Sequence, residues 1–339
     1  MTAGTSVGVI VLAHGAEPWL TECVNSVLAS EGVEVELVVV DNSAAPEDIR
    51  PLRHRQDLVV LEPGTNTGFA GGCNLGAEHL TSEYLALVNS DCLLDATTLA
   101  QLVSEARRPD AGPVMASIRF AERPDVLNSS GNPVHLLGIC WAGGLEETEH
   151  RTEPYDVSSA SGACLVLRRE LWSRLAGFDE FYFAYLEDTE LSLRCRRWGL
   201  VPRCVPTAIA RHHYEFSRNP TKMYLLERNR LLLLATMWPK RALLLLAPLL
   251  IAFEIALTLL AFAQGWGPKK VAGWLWLARN TAHVRARRRI LQSERAVPQQ
   301  EWMERLTTRF ADHVIGSAAA TRVVNAVVTT YWRLVRRLV

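Results

Sequence analysis

The chain has 339 residues, 49% apolar and 21% charged, with 36 Lys/Arg against 36 Asp/Glu; this excludes a disordered chain and allows one large core, with or without an accessory region. Seven cysteines (Cys23, Cys73, Cys92, Cys140, Cys164, Cys195, Cys204) include no Cys-x-x-Cys pair, which argues against a disulfide framework or zinc site and for a reducing compartment. The zero net charge hides a division: residues 1–239 hold 20 Lys/Arg and 31 Asp/Glu, residues 240–339 hold 16 and 5, so the acidic body offers no nucleic-acid footprint and the basic tail suits anionic lipid.

Val7 to Ala13 is preceded by no basic segment, so it reads as a first strand rather than a secretory signal, and the chain is expected to start in the cytosol. Val35 to Val40, Leu58 to Leu61 and Tyr84 to Val88 are further short apolar runs. Between them Trp19 to Ala29, Pro46 to His54 and Ala70 to Leu80 have helical length and spacing. This alternation predicts an α/β fold around a mostly parallel, doubly wound sheet. From Ala111 to Cys140 the pattern becomes irregular, and extra strands and loops over an acceptor site are expected, Val114 to Phe120 among them. Ala163 to Leu167 predicts a strand, Glu187 to Trp198 an amphipathic helix stopped by Gly199, and Val201 to Val205 another strand.

Beyond Trp238-Pro239 the composition changes. Ala242 to Ala263 is 22 residues broken only by Pro248, Glu254 and Thr258, long enough to cross a bilayer. Glu254 near its centre would cost roughly 2.5 to 3.5 kcal/mol, taken at the value for Asp, so a re-entrant or interfacial hairpin competes with a true span. Trp274 and Trp276 precede five arginines between Arg279 and Arg289, a pattern of segments lying at a headgroup layer. We therefore expect a catalytic domain over 1–230 and a basic, Trp-bearing helical membrane-association region over 231–339. A core or oligomer hairpin is the plainer alternative.

Three polar clusters carry the chemistry. Asp41-Asn42-Ser43 and Asn89-Ser90-Asp91 each end an apolar run, so their side chains emerge at the carboxyl edge of the sheet, where open α/β sheets bind ligands. Asp41 can accept hydrogen bonds from uracil, thymine or ribose, although a strand-terminal Asp also serves as a helix cap. Asn66 to Asn74, with Gly68, Gly71 and Gly72, lacks the spacing of a nucleoside-triphosphate loop or a dinucleotide fingerprint, and fits a diphosphate-sugar cradle or a structural turn. Asp91, with an amide oxygen or water, suits a hard cation such as Mg²⁺ or Mn²⁺, which would neutralise a departing nucleotide diphosphate. His212 or His213 could add one imidazole. Glu187-Asp188 opens the third cluster beside Phe183 and Tyr185. A carboxylate there can deprotonate an acceptor hydroxyl, although acidic residues in a first helical turn are also dipole partners.

Taken in order, Val38 to Ser43, Asn66 to Asn74, Asn89 to Asp91, Ser161 to Cys164, Gly177 to Glu180, Glu187-Asp188, Tyr224 and Arg228-Asn229 resemble the family 2 inverting glycosyltransferases of the GT-A fold. Within that family the chain is most similar to bacterial rhamnosyltransferases acting on polyprenyl-diphosphate-linked acceptors. The resemblance covers roughly residues 6–230. It implies a nucleotide-sugar site of Asp41, Asn42, Asn66, Gly68, Gly71, Asn74, Asn89 and Asp91, and a metal held by Asp91 with His212 or His213. It makes Asp188 the catalytic base with Glu187 beside it, and places Tyr185 and Glu190 on the acceptor side. Asn89, in place of a first Asp, leans toward dTDP-rhamnose over a UDP- or GDP-sugar. The implied partners are a nucleotide diphosphate sugar, a lipid-linked or polymeric cell-envelope glycan and membrane lipid at the cytoplasmic face, with an oligomer compatible. A nucleotidyltransferase would need an early basic Gly-rich loop, which Ala13 to Ala16 does not supply. A tethered nucleotide-sugar or glycan-binding protein without turnover is the non-enzymatic alternative.

Overall fold

The computed structural model describes residues 4–214 and 219–339. Contacts divide the chain into two compact units. Among the described residues, the first comprises those up to Asn132, Ala142–Arg196 and 200–214. The second comprises Pro133–Trp141, Arg197–Gly199 and 219–339.

The first unit is built on ten strands: β1 Ser6–Gly15, β2 Glu34–Ala44, β3 Val59–Leu61, β4 Tyr84–Asn89, β5 Cys92–Leu94, β6 Ala111–Phe120, β7 Arg123–Ser129, β8 Tyr155–Asp156, β9 Cys164–Arg168 and β10 Val201–His212. Helices α1 Leu20–Leu28, α2 Pro46–Ile49, α3 Gly68–Glu78, α4 Thr98–Ala106, α5 Arg169–Leu175 and α6 Glu187–Arg197 accompany them. The main sheet runs β3-β2-β1-β4-β9-β6-β10-β5. Its first four strands are parallel, as the strand-helix alternation predicts. The remainder is mixed, because β9 runs antiparallel to both β4 and β6. Strands β1, β4 and β9 are nearly solid apolar runs, as burial on both faces requires.

Register then fixes the site. Ala13 pairs with Asp41 and Leu12 with Asn89, so the ends of β1, β2 and β4 lie side by side at one edge. Two boundaries differ from the sequence reading. Pro46 to His54 is one helical turn, α2, followed by turns. Strand β10 does not stop at Val205; its register against β6 slips between Val205 and Ile209, at Pro206, and pairing resumes to His212. A proline cannot donate to the ladder, and the irregularity absorbs it. The continuation brings His212 opposite Cys92 on β5.

In the second unit α7 Pro220–Met237, α8 Lys240–Ala263, α9 Gly267–Arg279, α10 Thr281–Ser293, α11 Gln299–Met303, α12 Asp312–Ile315 and α13 Ala318–Val335 follow one another. Trp238 and Trp302 meet edge to face at 5.8 Å in its core, and the Trp238 indole donates to the Leu136 carbonyl at 3.1 Å. Helix α8 has a mean hydropathy of 2.5 and is, among the described residues, the one helix long and apolar enough to cross a membrane by length and composition. Its Glu254 does not face outward as a bare charge. It pairs with Arg230 from α7 and, at 2.8 Å, with the fully buried Lys270 from α9, while the Trp274 indole donates to it at 2.8 Å. Glu227 completes this network through Arg230, at 2.6 Å, and Lys270.

Candidate active site at the carboxyl edge of the sheet

Asp91 follows β4, and its Oδ1 lies 3.0 Å from Nε2 of His212. The other imidazole nitrogen, Nδ1, is 2.9 Å from Oδ1 of the buried Asn128. Oδ1 of an amide accepts only, so Nδ1 carries the hydrogen, and Nε2 then presents its lone pair to a carboxylate oxygen. Two acceptors at this spacing need a proton or a cation between them. Carboxylate oxygen and imidazole nitrogen are both ligands for a divalent ion, and Asn128 fixes the tautomer such a site requires. Cys92 is the third potential ligand of the cluster. Complete burial pushes its thiol well above its ordinary range, so it stays a protonated, soft group that a hard cation does not use. His213 turns away: its ring stacks on Trp19 and its Nδ1 meets Glu122 at 2.9 Å.

Asp188 is joined to the same edge through the backbone. Its Oδ2 accepts the Gly162 N–H at 2.9 Å, and the next residue, Ala163, accepts the Asn89 N–H at 2.9 Å. Oδ1 accepts the Thr189 N–H at 2.6 Å and the Thr189 hydroxyl at 3.3 Å. Desolvation raises the Asp188 carboxyl above the ordinary Asp range, with these donors pulling the other way. Glu187 is more deeply buried, its Oε2 has no hydrogen-bond partner, and desolvation followed by the Asp188 charge raises it well above its usual range. Of the two, Asp188 has the hydrogen-bond donors that favour an ionised carboxylate, and Oε2 of Glu187 has none. Burial first, then the charges of Tyr185 and Asp91, raise the Tyr214 hydroxyl pKa.

The approach to Asp188 is strained. Phe183, Tyr185 and Leu186 adopt φ of 62°, 72° and 68°, the left-handed region that costs non-glycine residues about 1–3 kcal/mol each and is concentrated at functional sites. Tyr185 is 38% exposed at this turn.

Several predicted binding residues hold the loop instead of facing outward. Asn42 is 1% exposed; its Nδ2 donates to Asn66 Oδ1 (3.0 Å) and the Gly68 carbonyl (3.2 Å), and its Oδ1 accepts from the Thr67 N–H (2.8 Å) and hydroxyl (3.1 Å). Asn66 Oδ1 also takes the Gly68 N–H at 2.8 Å, and the Ala70 N–H goes to the Phe183 carbonyl at 3.0 Å. The amides expected to cradle a diphosphate at residues 67, 68 and 70 are thus already bonded within the protein. Gly68, at φ +72°, is required here, since a Cβ would lie 2.3 Å from the Phe183 carbonyl oxygen. Gly71 lies in the same first turn of α3, and Gly72 lets α3 approach β1, where a Cβ would come within 2.1 Å of Leu12. Asn74 ties α3 to the 178–180 segment, donating to the Phe178 carbonyl (3.0 Å) and Glu180 (3.1 Å) and accepting the Phe178 N–H (2.9 Å).

Asp41 accepts the Ala44 N–H at 3.0 Å and pairs with the half-exposed Arg53 at 3.0 Å. Glu190 does not face an acceptor: it is fully buried and bonded to Arg194 at 2.8 Å, whose guanidinium also donates to the carbonyls of Leu175 and Gly177. A charge one helical turn from its cation on an inward face is used for packing, not display. The sequence reading missed His14, whose ring meets the Asn42 carbonyl at 2.8 Å, and Glu17, which takes the His14 N–H at 3.1 Å. Burial raises the Glu17 carboxyl, against a hydrogen bond with Ser90, and the Asp91 charge raises it further. Polar residues at the end of β1 and just beyond it, at the edge already marked by Asp41 and Asn89, were the available signal.

Residues 8–175 match the family model Glycosyl transferase family 2. Over 193 residues, 54% of this chain and 15% of the relative, the sequence is 31% identical to the O-antigen biosynthesis protein RfbC of Myxococcus xanthus. It is 27% identical over 208 residues to the low-salt glycan biosynthesis hexosyltransferase Agl10 of Haloferax volcanii, covering 58% of this chain and 66% of that one. The chain thus spans less than two thirds of either relative. It is 26% identical over 232 residues to an N-acetylglucosaminyl-diphospho-decaprenol L-rhamnosyltransferase of Mycobacterium tuberculosis, covering 60% and 75%. Among solved structures, GalNAc-T7 with UDP, GalNAc and Mn²⁺ superposes with a TM-score of 0.56 at 15% identity, over 71% of this chain and 49% of that one. The mannosyltransferase PcManGT from Pyrobaculum calidifontis, in complex with GDP-Man and Mn²⁺, gives 0.51 at 19% identity, over 88% and 85%. At such identities these likenesses establish the fold, and with the family match they lead to one conclusion: the chain carries a family 2 glycosyltransferase domain of the GT-A fold.

Proposed function

We propose that the chain is an inverting, divalent-metal-dependent glycosyltransferase. In this reading it moves a sugar, rhamnose from dTDP-rhamnose in the preferred form, onto a lipid-linked or polymeric cell-envelope glycan at the cytoplasmic membrane face. The observation that carries this reading is the joining of Asp188, through Gly162-Ala163 and Asn89, to the edge that bears Asp91 and His212. Asp91 and His212 are the residues that would hold Mg²⁺ or Mn²⁺, and the ion's charge would offset that of the leaving diphosphate. Asp188 accepts the acceptor hydroxyl proton as that oxygen forms its bond to the anomeric carbon, and the bond to the diphosphate oxygen breaks with its electron pair leaving on the nucleotide. Protonated Glu187 keeps a second negative charge away from the base. Asp41, at the end of β2, is assigned to the nucleobase or ribose, and Tyr185, on the strained turn, to the acceptor side.

The acceptor named for the mycobacterial relative, an N-acetylglucosaminyl-diphospho-decaprenol, and the rhamnose it transfers support the finer choice of substrates. The division into a catalytic domain over 1–230 and a membrane-association region over 231–339 belongs to the same proposal. A panel of nucleotide sugars offered with membrane lipid extract and Mn²⁺ or Mg²⁺, read by mass spectrometry, tests it. A sugar added to a lipid diphosphate with inversion is the expected product, formed about 10²- to 10⁴-fold more slowly by Asp188→Asn. Absence of transfer from every donor overturns the reading.

A further inference from the structure

Helix α8 has two unlike sides. Leu244, Ile251, Ile255, Leu259 and Phe262 are 75%, 60%, 57%, 68% and 58% exposed and share one stripe, since their positions fall within about a third of the helical circumference at 3.6 residues per turn. Glu254 lies outside that stripe, about 60° round the helix from Ile251, and is held by Arg230, Lys270 and Trp274. Helix α13 joins this surface. Its Tyr331 hydroxyl donates to the Leu245 carbonyl at 2.7 Å, and its own exposed apolar positions are Val323, Val327 and Leu334. Arg322, Arg333 and Arg337 are exposed and lie along the flank of that second stripe. Exposed Lys240 and Arg241 open α8, and the rest of the helix shows no exposed charge from Ala242 to Ala263.

From this we infer that α8 and α13 form a monotopic platform that lies in the plane of one anionic leaflet, apolar stripes inserted and arginines at the headgroups, and that α8 does not cross the bilayer. The proposal rests on the membrane-surface reading above and deepens it. A crossing helix needs an apolar perimeter at mid-depth. Crossing here would carry Glu254 to the bilayer centre either with two further buried cations from α7 and α9 or stripped of them, and an unpaired buried charge is the costlier outcome. In-plane seating keeps the partly buried Glu254 paired with the buried Arg230 and Lys270 and puts only Leu, Ile, Val and Phe into acyl chains. The basic flank and the excess of Lys/Arg in residues 240–339 (16 against 5 Asp/Glu) complement anionic lipid. A polar rim of arginine beside an apolar stripe also suits their long stems, which lie along the hydrocarbon boundary while the guanidinium stays wet.

The test uses the full chain and vesicles of phosphatidylcholine with or without added phosphatidylglycerol, an anionic lipid of the kind that attracts basic segments. Flotation is expected with the anionic vesicles only. The bound fraction should fall about tenfold with Ile255→Glu plus Leu259→Glu, and also with Arg322→Glu plus Arg333→Glu, the second loss alone being mimicked by high salt. All four positions are exposed, and unchanged thermal unfolding of the lipid-free variants checks that they fold. Sidedness is read in sealed cells with an impermeant maleimide on Gln56→Cys and Asp312→Cys. Protection or labelling of both together supports in-plane seating. Labelling of Asp312→Cys alone means that the chain crosses and overturns the proposal. So does unchanged vesicle binding by Ile255→Glu plus Leu259→Glu accompanied by loss of a lipid-free dimer in sedimentation, which would assign the stripe to a second copy. Vesicle binding without sugar transfer would sink the glycosyltransferase reading and leave the platform standing; transfer to a soluble acceptor without vesicle binding would do the reverse.

Discussion

Trp19 and His213 stack face to face, with ring centroids 3.7 Å apart and planes within 6°. That stack decides which of two adjacent histidines serves Asp91. Successive residues at the end of a strand point to opposite sides, so once His213 is turned to Trp19 and Glu122, His212 is the one directed at the carboxylate.

The histidine assignment predicts an asymmetry between neighbours. Asn128→Ala, which removes the partner that fixes the His212 tautomer, should weaken Mn²⁺-dependent nucleotide binding by about 10- to 100-fold, the usual effect of losing an outer-sphere partner. His213→Ala should leave that affinity nearly unchanged. Calorimetric titration of Mn²⁺ into protein with excess nucleotide reads both, and equal losses would show that the two imidazoles share the ion.

Asp188→Asn should lower kcat by about 10²- to 10⁴-fold, the range for removing a general base, with donor affinity preserved. The wild-type rate should also fall on acidification earlier than an ordinary Asp would dictate, because burial raises this carboxyl. A pH profile of kcat/KM whose acidic limb lies in the normal Asp range would contradict the assignment.

Glu187 sets a pH dependence of stability. Its folded pKa is raised, so between the ordinary Glu value and the raised one the native state holds a proton that the unfolded chain releases. Stability from this group is complete below the unfolded pKa and is lost as pH rises toward the folded one. Glu187→Gln removes that loss. Its melting temperature should gain on wild type as pH increases from about 4.5 to 8, by ~2–4 °C for each kcal/mol relieved. Scanning calorimetry at several pH values checks the slope, and parallel curves would mean that Glu187 ionises freely in the fold.

Glu190 is expected to matter for folding and not for the acceptor. Glu190→Ala leaves the Arg194 guanidinium buried without its carboxylate, a change that costs about 3–5 kcal/mol. Thermal denaturation should show the loss, while acceptor KM at a permissive temperature stays within about twofold. A raised acceptor KM with unchanged melting would return Glu190 to the acceptor side.

Much of the first unit was legible because apolar runs and helical spacing report burial directly. Val7 to Ala13, Val35 to Val40 and Tyr84 to Val88 are the cores of β1, β2 and β4, and a strand ending in Asp or Asn places that residue at the sheet edge whatever the rest does. Boundaries governed by long-range pairing were not legible. Nothing local says that β10 survives Pro206; the pairing partners β6 and β5 supply the hydrogen bonds that carry it to His212. Likewise a loop rich in Asn and Gly looks the same whether its polar atoms face a ligand or one another, and the bonds among Asn42, Asn66, Thr67 and Gly68 exist only after β2 and α3 are brought together.

By itself, then, the order of residues determined the alternating α/β core, the edge at which Asp41, Asn89 and Asp91 emerge, and a basic apolar tail, because periodicity and charge are local properties. Only the tertiary structure chose His212 over His213, assigned Glu190 to Arg194, gave Asp188 the donors that favour an ionised carboxylate beside Glu187, and joined Glu254 to Arg230, Lys270 and Trp274. Each of those outcomes depends on which side chains distant in the chain share a low-dielectric space, where an unpaired charge is too costly to persist.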